Sequence, residues 1–283
     1  MTDFYDELAP LYHLFFEDWD ASIRRQGQQL SEILRREWPD HYSVLDVSCG
    51  IGTQAIALAM HGYRVRGSDI SKQAIERAKA EAVVRGQSIE FSICDMRRAH
   101  AHHGTGNDLV ISCDNSVPHL LSDPEIALAL EQMHACLRPG GGCLLTVRDY
   151  EREPRGTNIV KPYGACVEDG KRHVAIQVWD FDGDLYDLTI YFVQEDLESK
   201  SITARALRSR YYAIGITRLC ELMREAGFSE VKRLDNVFYQ PVVVGTKAAL
   251  RPAQVRIGSA GRDAETYSSA LKRTRPKAAR RLA

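Results

Sequence analysis

The sequence predicts an α/β fold in which a mostly parallel sheet carries helices on both faces and a small antiparallel cover. Three observations support this fold class. Apolar, strand-like runs alternate with helical runs from residue 43 to about 150, as they do in parallel sheets. A turn of small residues follows the first strand-like run. From about residue 151 to 212 the pattern changes to alternating apolar and polar residues, which favours antiparallel strands.

The elements follow one another in a regular order. Residues 4–35 mix aromatic and charged residues at near-helical spacing, which predicts one or two leading helices. The predicted strands of the main sheet are SVLDV, YRVRGSDI, IEFSIC, DLVISC, GCLLTVRDY, VKRLDN and FYQPVVVGT. Helical runs follow the first, second and fourth of these strands, the turn RPGG precedes the fifth, and the helix TRLCELMREAGF precedes the last two. We expect these strands to form a Rossmann-like, seven-stranded sheet.

The runs HVAIQVWDF, LYDLTIYFVQ and TARALRSRYYAI predict the antiparallel cover. We therefore expect one domain over residues 1–247, with lid helices at about 1–38 and the cover inserted at about 151–212. Residues 248–283 are basic and poor in apolar residues, which predicts a solvated, disordered tail.

Composition and charge argue against several classes of function. No apolar run approaches the roughly 18 residues of a membrane span, and the N-terminus lacks the order of a signal peptide, so we expect a cytoplasmic protein without a membrane partner. Seven scattered cysteines with no CxxC spacing argue against a disulfide framework and a zinc site, and we expect no metal. The tail holds nine of the 37 Lys/Arg and two of the 38 Asp/Glu, which leaves a net charge of −8 in residues 1–247. Such an acidic body argues against a nucleic-acid substrate.

The most informative motif is VLDVSCGIGT at residues 44–53. An apolar strand ends in Asp46, and Ser48, Gly50 and Gly52 form a small-residue turn before a helix. Small residues let a ligand approach the backbone at the carboxyl edge of a sheet, where open α/β sheets bind their ligands. The motif alone does not distinguish a methyl donor from a dinucleotide, because NAD-dependent enzymes use a similar turn.

Two more acidic residues follow at the ends of the next strands. Asp69 ends the second strand 17 residues after Gly52, where a carboxylate can accept hydrogen bonds from both ribose hydroxyls of a nucleoside. Asp95 follows the third strand. An NAD-dependent enzyme normally has a glycine where Ala55 stands, but alanine is tolerated there. Strand-end capping is the alternative role for Asp69, as it is for Asp46.

In these motifs the chain resembles the class I S-adenosylmethionine (SAM)-dependent methyltransferases, strongly over about residues 40–150 and loosely over 1–247. The resemblance implies SAM as the cofactor and implies contacts to it from each strand end. The methionine part would be surrounded by Asp46, Ser48, Gly50 and Gly52, the ribose held by Asp69 and Ile70, and the adenine contacted by Asp95 and Met96, with Cys113 nearby. Ser48 stands where the family usually has glycine, and its small side chain should fit.

Two segments resemble the glycine/sarcosine N-methyltransferases. The run CDNSVPHL after the fourth strand contains Asn115 and His119, and the fifth strand ends in Arg148, like the arginine that holds the substrate carboxylate in those enzymes. A guanidinium offers a paired donor fork that matches a carboxylate. The alternative for Arg148 is an ion pair with Asp149 or Glu151. His119 is either a base or a hydrogen-bonded structural histidine, and we favour the latter.

Several tyrosines are further candidates. Tyr5 and Tyr12 lie in a segment that resembles the N-terminal helix of small-molecule methyltransferases, where a ring or hydroxyl can approach the sulfonium. Core packing is an equal alternative for both. Arg210, Tyr211 and Tyr212 leave the predicted cover and are expected, from position alone, to line the acceptor pocket.

The expected function is methyl transfer from SAM to a small-molecule amine of the glycine/sarcosine kind. Displacement at an activated sulfonium depends mainly on positioning, so no triad or metal is required. The candidate catalytic residues are Arg148, Asn115, His119, Tyr12 and Tyr212. An O- or C-methyltransferase, in which His119 would matter as a base, and a SAM-binding protein without turnover stay open, as does a homo-oligomer.

Overall fold

The structure is a computed structural model that describes residues 2–249, and these residues form two sheets. The strands are β1 (Ser43–Asp46), β2 (Arg64–Asp69), β3 (Glu90–Ile93), β4 (Asn107–Ser112), β5 (Leu137–Thr146), β6 (Ile159–Glu168), β7 (Lys171–Asp182), β8 (Leu185–Asp196), β9 (Ile202–Tyr212), β10 (Phe228–Leu234) and β11 (Val242–Lys247). The larger sheet has the order β10-β11-β5-β4-β1-β2-β3. Strands β1–β5 run parallel to one another, whereas β11 pairs antiparallel with both β5 and β10. The predicted fold class is confirmed.

Seven α-helices lie among the described residues. They are α1 (Thr2–Leu8), α2 (Trp19–Glu37), α3 (Thr53–Met60), α4 (Lys72–Val84), α5 (Ala99–His103), α6 (Asp123–Cys136) and α7 (Ile216–Glu225). Side chains cap the N-termini of two of them. Asp18 accepts the Ala21 N–H at the start of α2, and Ser71 accepts the Ala74 N–H at the start of α4. None of these helices is both long and apolar enough to cross a membrane.

The main sheet is buried on both faces. One core cluster joins α2, α3 and α4 to the sheet, and a second cluster joins α6 and α7 to the opposite face. Neighbouring residues of β1 show the division, because Val44 belongs to the first cluster and Leu45 to the second. Successive side chains of a strand point to opposite faces, so the apolar run of β1 serves both clusters.

The smaller sheet is antiparallel, with the order β6-β7-β8-β9. Its buried face contributes Trp179, Tyr186 and Leu188 to a third cluster, which also contains Phe4 and Leu14 from the N-terminal segment. The sequence predicts β7, β8 and β9 but not β6, since Pro162 and Gly164 interrupt that run. Pairing of β6 with β7 shifts its register between these two residues, and a strand at a sheet edge tolerates proline.

The predicted turn RPGG lies within β5 instead of before it. Leu137 pairs with Asn107 and Gly142 with Leu109, so the residues between them bulge from the ladder. Gly140 has φ +79° at this bulge, a conformation that favours glycine. The predicted bounds of the N-terminal lid helices and of the cover stay predictions. Of the predicted tail, only residues 248 and 249 lie within the described residues.

Candidate active site

A cavity of about 680 Å³ lies at the carboxyl ends of the parallel strands. The strand order reverses between β1 and β4, and open α/β sheets bind ligands at such a switch point. Hydroxyls join these two strand ends, with 2.7 Å between Ser48 Oγ and Ser112 Oγ. Loops after the parallel strands, the N-terminal segment and the smaller sheet together line the cavity. Fold and sequence motif therefore place the candidate site at the same edge.

The turn after β1 requires its two glycines for different reasons. Gly50 lines the cavity with φ +52°, and a Cβ built there would meet no protein atom within 4 Å. Gly52 has φ +94° and begins α3, and its Cβ would lie 2.9 Å from Ile56 Cδ1. Gly50 thus leaves backbone open to a ligand. Gly52 shapes the turn from outside the cavity lining.

Asp46 is fully buried behind this turn and does not line the cavity. Its Oδ1 accepts the Ser48 N–H at 3.1 Å, whereas its Oδ2 has no hydrogen-bond partner in the described chain. Burial raises the pKa of Asp46 to about 7, and the nearby Asp69 adds to the effect. Asp46 therefore supports the turn through Ser48 and does not itself line the cavity, contrary to the predicted contact with the methionine part of the cofactor.

Asp69 ends β2 and lines the cavity. Its oxygens accept the Gly50 N–H and the Ser71 N–H, each at 2.9 Å. Burial raises the pKa of this carboxyl, and the backbone N–H groups oppose the shift. Because a carboxylate has about four acceptor positions, each oxygen can accept a further hydrogen bond. Ile70 lies beside it in the lining, so the pair can hold a ribose.

The end of β3 carries Asp95 and Met96, which both line the cavity. Arg97 Nε lies 3.1 Å from each oxygen of Asp95, and the same arginine also bonds Glu125. Burial would raise the pKa of Asp95, but the hydrogen bonds from Arg97 lower it. Asp95 is therefore a charged acceptor that already has a protein partner.

Both polar atoms of the buried Asn115 amide form hydrogen bonds within the protein. Its Nδ2 donates to the Tyr150 hydroxyl at 2.7 Å, and its Oδ1 accepts the Arg148 backbone N–H at 3.0 Å. The Tyr150 hydroxyl lies 3.0 Å from that of Tyr186 on the cover. Although Asn115 lines the cavity, these bonds make it a positioning residue for the backbone of Arg148.

Arg148 lines the cavity without an ion-pair partner among residues 2–249. Its Nη2 donates to the Tyr163 hydroxyl at 2.9 Å, and its guanidinium carbon lies 4.5 Å from the centre of the Trp179 ring. The neighbouring Asp149 pairs with Arg233 at 2.6 Å instead. The predicted alternative, an ion pair of Arg148 with Asp149 or Glu151, is therefore wrong for the described chain.

His119 is buried among aromatic side chains and lines the cavity. Its Nε2 hydrogen-bonds the Tyr5 hydroxyl, Ser209 Oγ lies 3.5 Å from its Nδ1, and the Tyr211 ring centre is 3.8 Å from its own. Burial lowers the pKa of His119 to about 3. The imidazole is thus neutral at ordinary pH and engaged at both nitrogens.

Tyr12 brings the N-terminal segment onto the end of β4. Its hydroxyl donates to Asp114, and Gln240 Nε2 donates to the other oxygen of the same carboxylate at 3.2 Å. Sequence reasoning omitted Asp114 from the site, although it directly precedes Asn115 in the run CDNSVPHL. Only the fold shows that this carboxylate lines the cavity beside Cys113.

The structure corrects the predicted position of Tyr212, which lies outside the cavity lining. Its hydroxyl donates to Asp123 at 2.8 Å, and Arg210 likewise points away, toward Asp182. Tyr211 lines the cavity, because successive residues of β9 face opposite sides of the sheet.

Five further residues line the cavity although the local sequence around them did not indicate a role in the site. They come from the cover and from the loop between β10 and β11, and they are Tyr163, Gln177, Tyr186, Tyr239 and Gln240. Gln177 and Tyr186 lie on β7 and β8, which have the pattern of ordinary alternating strands. Only the packing of the cover over the main sheet reveals these lining residues.

Comparisons with known proteins agree with this architecture. A family model described as a methyltransferase domain matches residues 44–141. The glycine/sarcosine N-methyltransferase of Parasynechococcus marenigrum is 30% identical over 185 residues, which cover 62% of this chain and 65% of that protein. The tRNA 5-carboxymethoxyuridine methyltransferase of Escherichia coli is 34% identical over 40% of this chain and 43% of its own length.

Solved structures share the fold at low identity. Streptomyces venezuelae DesVI has a TM-score of 0.71 at 20% identity and covers 87% of this chain and 98% of its own. CalS10, described as an amino pentose methyltransferase from Micromonospora echinaspora, has a TM-score of 0.70 at 20% identity over 80% of this chain and 92% of its own. The chain spans less than two thirds of the length of the curated relatives named above. Residues 44–141 match a methyltransferase domain, and the chain shares its fold with CalS10 and DesVI.

Proposed function

We propose that this protein transfers a methyl group from SAM to the nitrogen of a small amine that also carries a carboxylate, as glycine and sarcosine do. The proposal rests on the environment of Arg148. Its guanidinium faces the cavity, and no carboxylate of the described residues pairs with it. A partly buried cation without a counterion is costly, and a substrate carboxylate would satisfy it with charge-assisted hydrogen bonds.

The other half of the cavity fits SAM. Asp69 has free acceptor capacity for ribose hydroxyls, and Gly50 leaves its backbone open. Asp46 supports this turn from behind by accepting the Ser48 N–H and does not itself line the cavity. Asp95 and Met96 line the part that would receive adenine. When bound, SAM supplies a methyl group on a sulfonium, which is an activated leaving group.

The residues of this chain then act by positioning. Arg148 would hold the acceptor carboxylate, and Asn115 fixes the backbone of Arg148 through its Oδ1. Tyr5 and Tyr12 reach over the cavity from the N-terminal segment and, with the cover, exclude water. The amine attacks in its neutral form, and loss of its proton to solvent beforehand needs no protein base. His119, neutral and bonded at both nitrogens, fits a structural role and gives no support to oxygen methylation.

The test is formation of S-adenosylhomocysteine by the purified protein over a panel of amino acids, other amines, phenols and carboxylic acids. We expect turnover with an amino acid. We expect Arg148→Ala to raise the KM of that amino acid about 10- to 100-fold, because a charge-assisted hydrogen bond is lost. The Kd of SAM should change less than about threefold. Arg172→Ala removes an exposed arginine of the cover, which pairs with Glu195 at 2.7 Å, and serves as the matched control.

Equal losses of acceptor and cofactor affinity in Arg148→Ala would contradict the proposed role of the arginine. Turnover of phenols or carboxylic acids alone would indicate an O-methyltransferase. Methylation of RNA instead of any panel member would contradict a small-molecule acceptor. SAM binding without turnover would indicate a cofactor-binding protein.

A further inference from the structure

We infer that Asp114 holds the ammonium group of the acceptor, so that Asp114 and Arg148 together select a zwitterionic amino acid. The inference rests on the proposed function and adds a residue and a substrate class to it. Five carboxylates line the cavity, namely Asp69, Asp95, Asp114, Asp149 and Glu153. Within residues 2–249, each of the others has backbone donors or a cationic partner, whereas Asp114 has neither.

Neutral groups surround the Asp114 carboxylate. The Tyr12 hydroxyl donates to Oδ2, and the Gln240 amide donates to Oδ1 at 3.2 Å. No Lys, Arg or His of residues 2–249 forms an ion pair with it. A half-buried carboxylate beside a cavity is stabilised by a cation there, and desolvation makes the unpaired state costly. The free positions on its oxygens therefore suit a ligand ammonium.

The backbone holds this carboxylate in place at a conformational cost. Asp114 and Asn115 have φ values of +54° and +64°, which place two successive non-glycine residues in the left-handed region. Thr146 at the end of β5 secures both, because its Oγ1 accepts the Asp114 N–H at 2.7 Å and its carbonyl accepts the Asn115 N–H at 3.0 Å. Such strain persists where surrounding structure enforces it, and it concentrates at functional sites.

The geometry also sets Asp114 beside the proposed carboxylate site. Asp114 follows β4 and Arg148 follows β5, and these strands are neighbours in the sheet. Asn115 connects them, since its Oδ1 accepts the Arg148 N–H. Neighbouring strands lie about 5 Å apart, so the unpaired anion and the unpaired cation follow adjacent strand ends and line the same cavity. A simple amine would use only one of the two charges.

This placement has a kinetic signature. The acceptor binds as an ammonium and must release its proton to water before the nitrogen lone pair forms the new N–C bond, while the C–S bond breaks and its electron pair stays on sulfur. A carboxylate nearby favours the charged form and raises the pKa of the bound amine. Removing that charge should weaken binding of the ammonium and also shift the acidic limb of the kcat–pH profile to lower pH. A merely structural role would not shift the profile.

The experiment compares wild type, Asp114→Asn and Asp187→Asn, with folding checked by thermal melts. Asp187 is an exposed carboxylate of β8 and provides the matched loss of charge. For Asp114→Asn we expect the KM of the amino acid to rise about 10- to 100-fold, with the Kd of SAM changed less than about twofold. The acidic limb of its kcat profile should move down by about one pH unit. Asp187→Asn should match wild type.

A ligand-side measurement on wild type keeps the inference testable if Asp114→Asn does not fold. Glycine betaine and 3,3-dimethylbutyrate have the same shape, but only betaine carries a cation. We expect betaine to be the stronger competitor of the acceptor by about tenfold or more, and equal inhibition would overturn the inference.

Two results with Asp114→Asn would overturn the inference while leaving the proposed function intact. One is an unchanged KM and pH profile together with normal turnover. The other is a loss of affinity for SAM but not for S-adenosylhomocysteine, which would place the carboxylate against the sulfonium. A wild-type protein that turns over no amino acid would overturn the proposed function, and this inference with it.

Discussion

The buried carboxyl of Asp46 should make the stability of the cofactor-free protein depend on pH in an unusual direction. Most acids of folded proteins stabilise the fold as they lose their proton, but Asp46 has one oxygen without a partner and is fully buried. Its pKa is about 7 in the folded protein, against 3.8 for an ordinary aspartate. Between these values the folded state holds a proton that the unfolded chain has released. Stability should therefore fall as pH rises from about 4 to about 7.

The size of the effect follows from the two pKa values. A pKa difference of one corresponds to about 1.4 kcal/mol, so the values 3.8 and about 7 correspond to at most about 4 kcal/mol. Water penetration and side-chain relaxation reduce the penalty for buried charge. We expect the destabilisation due to Asp46 to grow by about 2–4 kcal/mol over this interval, which is a large part of a typical free energy of unfolding.

Urea unfolding at pH 4.5, 5.5, 6.5 and 7.5 without cofactor would measure this change in the free energy of unfolding. Asp46→Asn should gain stability relative to wild type as pH rises, since the amide does not ionise. Asp108→Asn is the control: although burial opposes it, hydrogen bonds from Arg138 and backbone N–H groups hold the pKa of Asp108 far below its usual range. That variant should lose stability by a constant amount. Parallel pH curves for wild type and Asp46→Asn would show that ionisation of Asp46 does not cause the pH dependence.

Two further predictions concern the fold and the cofactor. Gly142→Ala would place a Cβ 2.1 Å from Cε2 of Trp38, so we expect a loss of about 1–3 kcal/mol in urea unfolding, and a loss below about 0.5 kcal/mol would mean that the Trp38 ring moves aside freely. Asp69→Ala should raise the Kd of SAM about 10- to 100-fold in calorimetry, and an effect confined to the KM of the acceptor would contradict the ribose assignment.

The cofactor half of the cavity could be predicted from sequence because its determinants are local. Asp46, Gly50 and Gly52 lie within one strand–turn–helix unit, and Asp69 and Asp95 each end a strand of the same parallel sheet. Parallel strands bring their carboxyl ends to one edge. A pattern of strand ends therefore predicts a cluster of side chains without knowledge of their contacts.

The acceptor half was decided by tertiary structure. Sequence alone proposed Arg148, but its freedom from an ion pair depends on Arg233, far along the chain, which takes Asp149. Position alone suggested Tyr212, whereas the pairing of β9 turned Tyr211 inward. Asp114 became a candidate only when Tyr12 and Gln240, 102 and 126 residues away, converged on its carboxylate. The fold class and the cofactor edge could be predicted without the structure, because local sequence patterns encode them. Which charges stay unpaired in the cavity depends on contacts between distant segments, and only the folded chain determines those.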